Sequence, residues 1–237
     1  MNILLAAATE GEIAPTIAWL REHTVETNKN LFTFGAASVQ ICLTGVGIMA
    51  ATETLTRTLL VTRYDFAVQA GVAGTFDRST PLGEVVCILS EVLGDFGAED
   101  HDGSLLDVYA LGLAEMDEVP FVGGRLHSTG LDHALGRTFS SLQRVPGITV
   151  QTVSGTEETV AARTRRYGAG VESMEGAPFH YCCLRAGVPF LQLRAISNYV
   201  ELRNREAWKM EEAIASLNNI LTSWMAELAA PSLRNTP

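Results

Sequence analysis

Short, nearly unbroken apolar runs alternate with amphipathic segments along most of the chain. Residues 2–8, 66–70, 82–93 and 189–196 carry almost no polar interruption, which predicts strands buried on both faces. Residues 31–34 and 38–43 add two shorter strand candidates joined by a turn at Gly35, and 148–153 a further one. Between these runs the spacing turns helical. Helices are predicted over 10–21, from a glycine turn at 45–50 to about residue 62, and over 131–142, 157–166 and 177–186. Thr9 with Glu12 three positions on fits a capping box at the first helix. Gly187 and Pro189 end the 177–186 segment as a C′ glycine followed by a proline does. The last helix is the best patterned: Ala207, Trp208, Ile214, Leu217, Leu221, Trp224 and Leu228 recur on one face, which makes both tryptophans core residues. Strands alternating with helices predict an α/β protein of three layers, helices on either side of a sheet. Neither a repeat nor a linker interrupts the 237 residues, so one domain over 1–237 is expected.

Composition narrows the partners. Hydrophobic residues make up 47% and charged residues 19%, the balance of a folded chain rather than a disordered one. The formal net charge of −10 disfavours nucleic acid and anionic membrane surfaces as partners. No apolar run approaches the roughly 20 residues of a membrane span. Glu10 and Glu12 cut off the first apolar run, which no basic residue precedes, so it is a first strand and not a signal peptide. A cytoplasmic protein is expected. The four cysteines, Cys42, Cys87, Cys182 and Cys183, form no C-x-x-C pair and read as buried thiols in a reducing compartment.

Several local patterns carry candidate chemistry. Gly45-Val46-Gly47-Ile48-Met49-Ala50 has the spacing of a dinucleotide fingerprint, with Asp65 twenty residues on. It does not follow the first strand, however, and a tight strand-to-helix turn accounts for the glycines as well. His101 between Asp100 and Asp102 lacks further ligands for a metal and reads as part of a solvated loop over 94–106. Four strand ends carry small or polar residues: Glu12, the Gly71–Thr75 stretch, Ser154–Thr156, and Ser197-Asn198. Glu175 at a helix start joins them, because ligands in open α/β sheets bind beyond the carboxyl ends of strands. Two carboxylates and an amide in one cleft suit glycosyl chemistry. One carboxylate activates water while the other holds the sugar as positive charge builds at its anomeric carbon.

The run Glu172-Ser173-Met174-Glu175-Gly176-Ala177, followed by Val188-Pro189-Phe190 and Arg194-Ala195-Ile196-Ser197-Asn198, resembles the signature of the purine nucleoside phosphorylase and nucleosidase superfamily. Ala8-Thr9-Glu10-Gly11-Glu12 resembles the place of the nucleosidases' catalytic glutamate, and Gln69-Ala70-Gly71-Val72-Ala73-Gly74 their glycine-rich ribose loop. Within that superfamily the futalosine hydrolases, which release hypoxanthine in menaquinone biosynthesis, are the most similar branch.

The resemblance implies a three-layer α/β/α fold around a mixed, partly barrel-like sheet, a homo-oligomer, and neither metal nor organic cofactor. It implies catalytic roles for Glu12, as the base that activates water, and for Asn198. Substrate contacts would come from Glu175 on the ribose hydroxyls, Met174 against the sugar face, and Ser173, Val72, Gly74 and Ser154. The futalosine arm, with its aromatic carboxylate, would need an apolar pocket with a local donor. Asn198 departs from the aspartate of the adenine-specific nucleosidases. An amide donates and accepts, which matches a six-oxopurine. Gln69 and Val72 stand where phosphorylases carry phosphate ligands, which favours water as the nucleophile. A methylthioadenosine/S-adenosylhomocysteine-type nucleosidase, a purine nucleoside phosphorylase and a binding module without chemistry remain the alternatives.

Overall fold

Apolar residues fall on both faces of the long strands, and the observed architecture buries both. The computed structural model describes residues 1–168 and 170–230, so positions 169 and 231–237 of the expected domain lie outside the described residues. The strands are β1 (Asn2–Ala7), β2 (Val25–Asn28), β3 (Leu31–Phe34), β4 (Ala37–Leu43), β5 (Phe66–Thr75), β6 (Val85–Leu93), β7 (Gly97–Glu99), β8 (Leu105–Asp107), β9 (Leu126–His127), β10 (Arg144–Thr149), β11 (Val171–Ser173) and β12 (Phe190–Tyr199). The helices are α1 (Glu10–His23), α2 (Ile48–Val61), α3 (Glu157–Tyr167), α4 (Gly176–Ala186) and α5 (Met210–Ala229).

One mixed sheet runs in the order β11-β10-β6-β12-β5-β1-β4-β3-β2. β11 also pairs with β5, so five strands close into a ring while the other end of the sheet stays open. β5 runs parallel to β1 and β12, and β12 turns antiparallel to β6. On one side Ile3, Leu5 and Val68 pack with Leu20 of α1 and Leu217, Leu221 and Trp224 of α5. On the other, Leu4, Ala67 and Phe190 pack with Leu55 of α2 and Phe179 of α4. Ala73, Val86, Ile88, Val171 and Ile196 form a third cluster among the ring strands. The predicted α/β layering and barrel-like sheet are therefore observed.

Several local expectations need correction. Gly71–Thr75 is not a loop: β5 continues through it, pairing with β12 as far as Thr75 opposite Tyr199. Ser197 and Asn198 likewise lie inside β12, not past its end. The pairing slips there, with Ile196 opposite Ala73 and Asn198 opposite Gly74, so Ser197 is the extra residue of a β-bulge. The segment 131–142 forms turns and one 3-10 turn, Arg137–Phe139, instead of a helix. Tertiary bonds override its helical period: Gly130 N–H donates to the Phe190 carbonyl, and Gly136 packs so tightly on Gly130 that a Cβ would overlap its carbonyl. The loop 94–106 contains strand β7, which pairs with β8 as a hairpin, and β2 was not foreseen at all because its side chains are all exposed. Trp208 precedes α5 and is half-buried, whereas Trp224 is core.

All four cysteines are buried and unpaired, and burial pushes the Cys87 thiol up to about 11. Among the described residues no helix is long and apolar enough to cross a membrane.

Candidate active site

A cleft of about 420 Å³ opens where the closed ring meets α1 and α4, within the size range of small-molecule sites. Glu12, Val72, Gly74, Ser173, Met174, Glu175 and Asn198 all line it. Ser154, the remaining predicted site residue, lines a smaller adjoining recess together with Glu172 and Asn198.

Glu12 stands in the first turn of α1. Its Oε2 accepts from the Thr9 N–H at 2.9 Å, the reciprocal half of the predicted capping box. Its Oε1 reaches across to β5 and accepts from the Val72 N–H at 3.1 Å. One helix-start carboxylate is thus pinned to a strand sixty residues away and turned toward the cleft. The helix-cap and cleft roles of Glu12 are served by different oxygens.

Glu175 is buried at the N-terminus of α4. Its Oε1 accepts from the Gly47 N–H at 2.9 Å. That bond explains the glycine turn at 45–50: Gly47, at φ +86°, aims its amide at a carboxylate of the site. Asp65, the supposed ribose acid of a dinucleotide motif, instead accepts from the Asn2 N–H and ties down the start of β1.

Beneath Glu175 lies Arg194, only 1% exposed. Its Nη1 is 3.7 Å from Glu175 Oε2 and donates to the Val72 carbonyl, while Nη2 donates to Gln69 Oε1. Gln69 Nε2 then donates to the Glu175 carbonyl. A Cβ on Gly71 would lie 2.5 Å from Arg194 Nη1 and 2.7 Å from Glu12 Oε1. The glycine therefore makes room for these two charged groups of the chain itself, rather than for a ligand. A Cβ on Gly74 would similarly lie 2.9 Å from Asn198 Nδ2.

Asn198 takes its orientation from the bulge. Tyr199 O can only accept, so the Asn198 amide nitrogen faces it, at 3.0 Å. The Ser197 hydroxyl donates to Asn198 Oδ1 at 2.9 Å. One N–H and one oxygen lone pair of Asn198 remain for a ligand.

Ser154 does not offer its side chain. Its N–H and hydroxyl both donate to the Glu172 carboxylate at 2.7 Å, and Arg163 Nη1 lies 2.8 Å from both Ser154 Oγ and Glu172 Oε2. This buried Glu172–Arg163 pair tethers the loop after β10 to β11. Arg194 and the Glu172–Arg163 pair, which brace the cleft, were not among the predicted site residues. A charge inside an otherwise apolar strand, as in Arg194, was the available signal.

His101 is exposed and pairs with Asp100. Among the described residues no group of three His, Cys, Asp or Glu side chains is placed to hold a metal.

The phosphorylase superfamily model matches residues 2–224. The futalosine hydrolase of Thermus thermophilus is 33% identical over 187 residues, covering 78% of this chain and 80% of that protein. A 5'-methylthioadenosine/S-adenosylhomocysteine nucleosidase of Colwellia psychrerythraea is 25% identical, over 94% of this chain and 97% of that protein. Among solved structures, the native futalosine hydrolase of Helicobacter pylori superposes with a TM-score of 0.77, covering 96% of this chain and 98% of that one at 17% identity. A ring-closed α/β sheet with paired glutamates and an asparagine at its mouth, and a family match over nearly its whole length, make this chain a member of the phosphorylase superfamily.

Proposed function

We propose that this protein is a nucleoside hydrolase that cleaves the N-glycosidic bond of futalosine, releasing hypoxanthine and dehypoxanthine futalosine, a step in menaquinone biosynthesis. The observation that carries the reading is the convergence of Glu12, Glu175 and Asn198 on one nucleoside-sized cleft. Glu175 accepts the two ribose hydroxyls, because a carboxylate offers an acceptor for each member of a vicinal diol. Met174 packs against the sugar. Glu12 takes a proton from water as the water oxygen bonds to the anomeric carbon. The bond to the purine nitrogen breaks and its electron pair leaves with the base. The proton gained by Glu12 balances the one the purine needs; an amide transfers none, so that proton arrives through solvent.

Asn198 supports the choice of base. Its free N–H and free lone pair match a six-oxopurine, whose carbonyl accepts and whose protonated five-ring nitrogen donates. A six-amino purine presents two donors there and suits a carboxylate. Asn198→Asp is accordingly expected to raise cleavage of the six-amino analogue relative to futalosine by roughly tenfold, about one hydrogen bond's worth. An unchanged ratio of the two rates would remove Asn198 as the selector.

Water rather than phosphate is supported by the state of the cationic group. Arg194 is committed to Glu175, Gln69 and Val72, and the Glu12 carboxylate nearby repels a dianion. The reading includes a homo-oligomer in the cytoplasm. Met49, Leu60 and Val61 of α2 are each at least 80% exposed, which supports a covered face. A single-chain mass by light scattering would discard that part.

The deciding experiment is a purine-release assay with futalosine, its six-amino analogue, methylthioadenosine and inosine, each with and without phosphate. Phosphate-independent hypoxanthine release from futalosine is expected. Release that requires phosphate would make the enzyme a phosphorylase, and adenine release alone would place it with the other nucleosidases.

A further inference from the structure

Glu91 of β6 is fully buried and lies outside the cleft. Pairing between β6 and β10 slips past Leu89, with Val145 opposite Ile88 and Pro146 opposite Ser90. The slip turns Glu91 to the same side as Ile88, and both lie against Gly147. A Cβ on Gly147 or on Gly176 would overlap the Glu91 carboxylate. Glycines on two separate elements thus leave a space fitted to one carboxyl group.

Donors converge on that group. The Thr149 hydroxyl donates to Oε2 and the Gln192 amide to Oε1, each at 2.9 Å. Thr149 Oγ1 in turn accepts from the Ala177 N–H at 2.7 Å. Ala177 lies in the first turn of α4, the turn that Glu175 caps. A hydrogen-bonded chain therefore runs from Glu91 through Thr149 to the residues that hold Glu175 at the cleft. Burial pushes the Glu91 carboxyl up to about 7, against the pull of Arg194 on β12, the bonds from Gln192 and Thr149, and the pull of Arg125 ahead of β9. Nearby, His180 of α4 donates from Nδ1 to the Leu126 carbonyl, and burial lowers its pKa to about 3, so it is neutral; His127 of β9, opposite Ser90, is exposed.

We propose that Glu91 is a positioning residue for the nucleoside site: ionised, it fixes the first turn of α4 and thereby the Glu175 carboxylate that takes the ribose diol. This rests on the nucleoside-hydrolase reading above. Protonated at Oε2, Glu91 donates where it had accepted: Thr149 Oγ1 can take that proton beside the Ala177 N–H, but its own hydrogen loses its acceptor, so the hydroxyl must turn and the hold on α4 weakens. Ribose binding then falls as pH drops through neutrality, whereas the chemical step at Glu12 is not routed through Glu91.

The test compares wild type, Glu91→Gln, Thr149→Val and Thr149→Ser across neutral pH. Wild-type KM for futalosine is expected to rise roughly tenfold on the acid side, the loss of one good hydrogen bond. Glu91→Gln should make KM independent of pH, and Thr149→Val should hold the raised KM at every pH, each with kcat within about twofold of wild type, while Thr149→Ser should restore the wild-type profile. A Glu91→Gln KM that still follows pH, or a loss confined to kcat, would overturn the proposal. If Glu91→Gln fails to fold, the Thr149 pair decides. Without substrate, the Gly176 and Ala177 amide resonances should titrate near neutrality in wild type. In a Glu91→Gln or, failing that, a Thr149→Val protein they should not. Failure to cleave futalosine with titrating amides would sink the hydrolase reading alone; amides that do not move would sink the role of Glu91.

Discussion

Glu12→Gln is expected to leave a folded protein whose turnover falls by a factor of roughly 10² to 10⁴, the usual contribution of a positioned general base. The fold survives because glutamine also serves at the third position of a capping box, so the Thr9 N–H keeps an acceptor. The wild-type carboxylate accepts from two backbone donors, Thr9 N–H and Val72 N–H. An amide can accept only through its oxygen, so one bond is lost, at a cost of about 1 kcal/mol. Stability and activity therefore separate by orders of magnitude. A purine-release assay beside a urea melt reads both. Near-wild-type turnover in the folded variant would remove Glu12 as the base.

The second large effect is on stability as well as activity. Glu175→Ala removes the proposed acceptor for the ribose diol and leaves Arg194, 1% exposed, without its ion-pair partner. Gly47 N–H loses its acceptor at the same time. Breaking a buried pair by deleting one partner costs about 3–5 kcal/mol, because the surviving charge is left without compensation. Gln69 and Val72 still hold the guanidinium and the Glu91 carboxylate still attracts it, which places the expected loss at the lower end of that range. Urea unfolding of Glu175→Ala measures it, and a loss below about 1 kcal/mol would show that Glu175 is not what balances Arg194. Glu175→Gln separates the two roles. It keeps the Gly47 bond and most of the volume, and is expected to fold yet bind nucleoside weakly.

The two substitutions together distinguish the glutamates by job. Glu12 sits where its removal costs little to the fold, on a helix start whose cap a glutamine preserves. Glu175 is built into the centre, between the α2 turn, β5 and β12 through Gly47, Gln69 and Arg194. In the proposed reading the group that holds the sugar is tied to the core, while the proposed proton acceptor, Glu12, sits half-buried at the rim.

Much of this was legible in the sequence. The apolar runs marked β1, β5, β6 and β12, and the helical spacing marked α1, α2, α3, α4 and α5, because a continuous apolar run and a 3.6-residue period are both local patterns. The residues lining the cleft were legible too, through the Met174-Glu175 and Ser197-Asn198 motifs and the acid of the first helix. What the sequence could not show were features decided by pairing between distant segments. The β11–β5 contact that closes the ring joins residues about a hundred positions apart, and no local pattern encodes it. The bulge at Ser197 exists only relative to β5, and the slip that turns Glu91 inward exists only relative to β10. Glycines 71 and 74 read as room for a ligand; only packing revealed that Arg194, Glu12 and Asn198 fill that room. Residues 131–142 had a helical period that was overruled by the packing of Gly136 on Gly130, itself bonded to the Phe190 carbonyl. Local sequence thus determined most of the long elements and which chemical groups are present. Tertiary structure determined which of those groups meet, because each buried polar side chain needs a partner that only the closed sheet supplies.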